Sequence, residues 1–90
     1  MPSATDKTRH FKELLDQHHE WPGTYTFKFI VAKDNVESVL DLFEERDAVS
    51  TRPSRHGRYI SVTANCEVSS SDEVIAVYEA AATIKGVISL

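Results

Sequence analysis

The chain is poor in the residues that staple, hinge or anchor a fold. It has a single cysteine, which excludes an internal disulfide and a cysteine-based zinc site. A reducing, cytoplasmic setting is the expectation that follows. Three glycines and three prolines in 90 residues are too few for a linker-rich or disordered chain. Apolar runs extend over only a few residues, far short of the roughly 20 that a membrane helix needs. Met1 to Glu13 carries charges and no apolar stretch, so neither a signal peptide nor an anchor is expected. Basic residues are in deficit, 10 Lys and Arg against 14 Asp and Glu, for a net charge of −4. That balance weighs against a general nucleic-acid binder, because displacing counterions from phosphates takes a basic face. No P-loop, no Gly-x-Ser-x-Gly and no Cys-x-x-Cys is present. The expectation is a protein that is not an enzyme and carries no metal or other cofactor.

What remains is an ordinary globular composition, 41% hydrophobic and 27% charged. Ninety residues make one domain. A chain of this size buries only about 60–65% of its unfolded surface, so its core is thin.

The chain opens with an arm. Thr8 is placed to cap a short helix carrying Phe11, Leu14 and Leu15 on one side. So short a stripe is marginal alone and must dock on the body. Trp21-Pro22-Gly23 then ends the arm in a turn, with Trp21 as a lid over one edge of the core. Residues 1–20 are read as this arm and 21–90 as a single domain.

Thr24 to Ala32 alternates with period two. Tyr25, Phe27, Phe29 and Val31 share one face, and Thr24, Thr26, Lys28 and Ile30 share the other, the pattern of a half-buried strand. Asp34 or Asn35 caps a helix expected to run to about Glu45, with Val36, Val39, Leu40 and Phe43 as its buried stripe. Arg46 then suits the C-terminal end of that helix. Ala48 to Pro53 is a shorter strand, and Pro53, with no N–H for a ladder, makes it an edge strand or marks a strand end. Ser54 to Gly57 turns the chain. Arg58 to Val68 is a long central strand, with Ile60, Val62, Ala64, Cys66 and Val68 facing inward. Ser70-x-x-Glu73 has the capping-box spacing. It opens a helix with Val74, Val77, Tyr78 and Ala81 on its stripe and Ala82 beside it, stopping near Gly86. Val87 to Leu90 is a last strand.

The order β-α-β-β-α-β, with two amphipathic helices and one polar sheet face, predicts an α+β, ferredoxin-like fold. It is a four-stranded antiparallel sheet ordered 4-1-3-2, two helices on one face, plus the short N-terminal helical arm.

Leu14-Leu15 ahead of Trp21-Pro22, Tyr25-Thr26-Phe27-Lys28 at the first strand, and Pro53-Ser54 before Gly57-Arg58-Tyr59-Ile60-Ser61-Val62 form a pattern. With Val74 to Glu79 and the terminal Val87-Ile88-Ser89-Leu90, it resembles the YbeD-like family of small conserved bacterial proteins over roughly residues 11–90. The Pro-Ser-x-x-Gly-x-Tyr-x-Ser-Val stretch is the most specific part. The resemblance implies a ferredoxin-like fold similar to ACT-type regulatory domains, which sense small molecules and often pair through sheets or helices. It implies no activity and no catalytic residues.

One stretch concentrates chemistry. Arg52, Arg55 and Arg58 are three of the five arginines, with Ser54, His56 and Tyr59 among them and Gly57 letting a ligand approach the backbone. Guanidinium forks suit carboxylates and phosphates. The bland alternative is a solvated turn whose arginines keep an edge strand from pairing with neighbours. The other candidates are weaker. Adjacent His18 and His19 lack the i, i+4 spacing of a helical metal site. Cys66 reads as a small buried hydrophobe. The polar sheet face lacks the aromatic RNA-binding pattern and suits pairing with a second subunit or solvent. The loop Ala32-Lys33-Asp34-Asn35 lacks the Gly and Arg of acylphosphatases, which share the topology.

The expected function is a regulatory or adaptor module binding a partner protein or a small anionic ligand, as a possible weak homodimer. The alternative is nucleic-acid binding through the basic tip and the sheet face.

Overall fold

The computed structural model describes residues 4–44 and 48–90, with side chains from Thr8 onward. A helix α1 (Ala4–His18) leads into strand β1 (Gly23–Ala32). A turn of 3-10 helix (Lys33–Asn35) precedes helix α2 (Val36–Leu40). Strands β2 (Val49–Pro53) and β3 (Tyr59–Val68) form a hairpin, followed by helix α3 (Ser71–Ala82) and strand β4 (Val87–Ser89). The four strands make one antiparallel sheet in the order β2-β3-β1-β4, the predicted ferredoxin-like order. Among the described residues no helix is long and apolar enough to cross a membrane.

Period-two patterning drives the sheet. Phe27, Phe29 and Val31 of β1 are fully buried, as are Val62 and Ala64 of β3, and all face the helices. Tyr25, Ile60 and Cys66 continue that face half-buried. Val39 of α2 and Val74 and Ala81 of α3 close over them from above. Burying each large side chain is worth about 1.5–3 kcal/mol, so this single layer supplies most of the driving force.

Each of the three helices departs from expectation. Helix α1 begins at Ala4, so Thr8 lies inside it rather than at its cap. It docks on α3 and buries Leu15 and Ile75, which gives α3 a second covered side. Helix α2 stops at Leu40, well short of Glu45. Leu42 N–H then bonds Val39 O and Phe43 N–H bonds Leu40 O, the tighter i→i−3 pattern, which lets adjacent Leu42 and Phe43 both reach the core. Asn35 is the N-cap of α2 but its side chain makes no capping bond; its Nδ2 donates to Lys85 O at 3.0 Å, tying the turn after β1 to the loop after α3. Glu45 and Arg46, the expected helix end, lie outside the described residues. Finally, Ser70 is the N-cap of α3 but its hydroxyl makes no capping bond. Glu73 instead accepts the N–H of Ser69 at 2.8 Å, one residue before the box position. Ala82, expected beside the buried stripe, is exposed.

Candidate binding site at the β2–β3 hairpin

The hairpin tip is built by Ser54. Its N–H donates to Tyr59 O at 2.8 Å, its carbonyl accepts Gly57 N–H at 2.9 Å, and its Oγ accepts Tyr59 N–H at 3.2 Å. Gly57 takes φ +71°, a backbone state that suits glycine, and nothing crowds the position of a Cβ there. Ser61 Oγ donates to Arg52 O at 3.2 Å and fixes the root of the hairpin. The segment is therefore a closed, bonded loop.

All six predicted site residues, Arg52, Ser54, Arg55, His56, Arg58 and Tyr59, lie together at this tip and are exposed. They do not share one face. Arg52 pairs with Ser61, so it stands on the open side of the sheet, where Tyr59 is its diagonal neighbour and half exposed at 50%. Arg58 precedes Tyr59 and so falls on the opposite side, toward the helices. Arg55 and His56 sit at the turn itself. Ser54 is committed to holding the loop and is the one candidate with a plain structural role. Lys12 pairs with Asp16 and Asp72, and no ion pair of the three tip arginines is found among the described residues. Their guanidinium groups face solvent with unspent hydrogen-bond donors.

The structure adds one cation. Lys33 N–H donates to Arg58 O at 3.0 Å, which extends the β1–β3 ladder and brings Lys33 to the same end of the sheet. Only strand register reveals this, because 25 positions separate the two residues in the chain.

The other candidates lie away from the tip. His19 stacks on Trp21, with ring centroids 5.4 Å apart, and meets Tyr25 edge-on. Trp21 Nε1 donates to Asp16 Oδ1 at 2.8 Å. His19 thus belongs to an aromatic cluster, and no group of three potential metal ligands occurs among the described residues. Cys66 is half-buried and lines a cleft of about 450 Å³ with Phe27, Leu42, Phe43 and Val77. That cleft lies at the far end of the sheet from the tip. On the open sheet face Tyr59 is an isolated aromatic, since Tyr25, Phe27 and Phe29 all point to the helices.

No curated protein and no solved structure matches the chain. A family model does match, over residues 16–90, from the end of α1 through β4. Its description is protein of unknown function (DUF493), the family that the sequence resemblance gives as YbeD-like, and the chain belongs to it.

Proposed function

We propose that this protein is a non-enzymatic regulatory or adaptor module whose β2–β3 hairpin takes an anionic group, a carboxylate or phosphate, carried by a partner protein or a small metabolite. The observation that carries the reading is the set of three arginines without ion pairs on one bonded loop of an acidic protein. Cations clustered on a scaffold of opposite net charge concentrate anions locally. Arg52, Arg55 and Arg58 provide the donors, Tyr59 an adjacent ring, and Ser54 and Gly57 the shape of the loop. Lys33 adds charge from the 3-10 turn that follows β1. Exposure of every contact group suits recognition of a ligand at the surface.

A thermal-shift screen against amino acids, organic acids, nucleotides and phosphates tests this. A ligand at a hundred times its dissociation constant adds about 2.7 kcal/mol, a shift of many degrees for a domain this small. Arg55→Ala is expected to abolish the shift while leaving the melting temperature of the free protein unchanged. Equal binding by that variant removes the tip from the site. A response to phosphates and nucleotides that vanishes steeply with salt would move the reading to nucleic acid. A blank panel with capture of an acidic protein partner through the arginines would place the anion on a protein.

A further inference from the structure

The two edges of the sheet are built differently. Edge strand β2 carries Arg52 and Pro53, residues that discourage strand addition. On the other side β4 is only three residues long, while β1 has ten. Their register runs from Phe29↔Ser89 to Val31↔Val87, and Leu90 N–H donates to Lys28 O at 2.9 Å. Among the described residues no strand pairs with this edge of β1 below Lys28.

Ladder alternation identifies the backbone groups left open. Lys33 bonds toward β3 and Lys28 toward β4, so odd-numbered residues of β1 face β3 and even-numbered residues face the β4 side. Thr24 and Thr26 therefore direct two N–H and two C=O groups outward, and both residues are exposed. The open stretch Gly23-Thr24-Tyr25-Thr26-Phe27 contains no charge and no proline and is rich in strand-forming residues.

We propose that this stretch is where a second copy of the chain adds, β1 against β1 in antiparallel sense, about a two-fold axis at Tyr25. That register sets Thr24 opposite Thr26 of the other copy, and Thr26 opposite its Thr24. Each pair exchanges two backbone hydrogen bonds, so the four open groups of each copy are satisfied by the same four of the other. The ends fit as well. The other copy's Lys28, where its β4 begins to cover β1, falls opposite Pro22, at which this chain has already turned off the sheet. The two short β4 strands thus bound the seam without colliding with it.

Charge complementarity favours a second copy over an unrelated strand. On the open face, Thr24 Oγ1 donates to Glu67 Oε1 at 3.0 Å, which holds the Glu67 carboxylate beside the seam. Lys28 of the other copy is the diagonal neighbour of Thr24, about 7–8 Å away and within reach of that carboxylate. The two-fold repeats the pair, so Lys28 and Glu67 of each chain meet Glu67 and Lys28 of the other. The tip arginines lie at the opposite end of β1, and this pairing leaves them free.

Sedimentation of the full chain over a concentration series tests the proposal. The wild type is expected to move from monomer to dimer as concentration rises to the millimolar range. Thr26→Pro removes an outward N–H that no intramolecular bond uses, and it should stay monomeric with circular dichroism unchanged. Lys28→Glu and Glu67→Lys should each raise the dimer dissociation constant severalfold, and the double variant should restore it. If Thr26→Pro misfolds, the charge-swap series decides alone. A wild type that is monomeric throughout, or a dimer indifferent to the charge swaps, overturns the proposal.

Discussion

The ammonium of Lys12, on α1, donates to the hydroxyl of Ser71, at the start of α3, across 2.7 Å, and Ser71 is fully buried. Lys12 also reaches Asp72 at 3.3 Å and Asp16 at 3.6 Å. One lysine therefore fastens the N-terminal helix to the first turn of the last helix, over a sequence separation of 59. Lys12→Ala removes a charged donor to a buried hydroxyl and is expected to cost about 1–2 kcal/mol, read by urea denaturation. Lys12→Arg is expected to recover part of it.

Asp16 gives this junction a pH dependence. The Ser71 hydroxyl, then the Trp21 indole N–H and the Lys12 ammonium, favour its ionised form and hold its carboxyl below the usual carboxylate value of 3.8. A carboxyl lowered in the folded state stabilises the fold at pH above its unfolded value. That contribution is lost as pH falls below 3.8 toward the folded value. Melting temperatures of wild type and Asp16→Asn should therefore differ at neutral pH and converge in acid. Parallel curves across that range would remove Asp16 from the junction.

Tyr78 acts at the alkaline end. Burial, followed by its 3.1 Å hydrogen bond with Tyr25, pushes its phenol well above the ordinary value of 10.0. A group raised in the folded state contributes stability that is complete below its unfolded value and declines above it. Stability should begin to fall as pH passes 10.0, and Tyr78→Phe should flatten that limb. Spectrophotometric titration provides the check, since one tyrosine should resist ionisation until the protein unfolds.

Phe27 is the centre of the core. It is fully buried and its ring lies near those of Tyr25, Phe29, Phe43 and Tyr78. Phe27→Ala should cost about 3–5 kcal/mol, a large part of the roughly 5–15 kcal/mol that holds a domain together. Denaturant midpoints should show it at once. Phe27→Leu should lose much less.

Gly57 separates conformation from contact. An added Cβ meets nothing within 4 Å, so the cost of Gly57→Ala is that of φ +71° alone. About 1–2 kcal/mol is expected, with Gly57→Asn closer to wild type.

The sheet was readable from the sequence because a half-buried strand writes its two faces in alternate letters. Tyr25-Thr26-Phe27-Lys28-Phe29 does so plainly, and the burial of Phe27 and Phe29 against the exposure of Thr26 and Lys28 matches it. Ile75 was not readable as core. It lies off the stripe of Val74, Val77, Tyr78 and Ala81, and it is buried because α1 crosses α3, a contact between distant segments that periodicity in α3 does not encode. The start of α1 was hidden because Ala4 to Lys7 carries little apolar signal. At the tip, the arginines were legible as a cluster in the sequence. Their division between the two sides of the sheet, and the arrival of Lys33, required the register of β3 against β1 and β2.

The placement of Trp21 has a practical consequence. The sole indole of the chain is bonded to the last turn of α1 and stacked on His19, while its backbone leads directly into β1. Its emission therefore reports on the docking of the arm, and the far-ultraviolet dichroism reports on all the helices and the sheet together. Recording both during one melt distinguishes an arm that peels away first from an arm that goes with the sheet, without attaching a label.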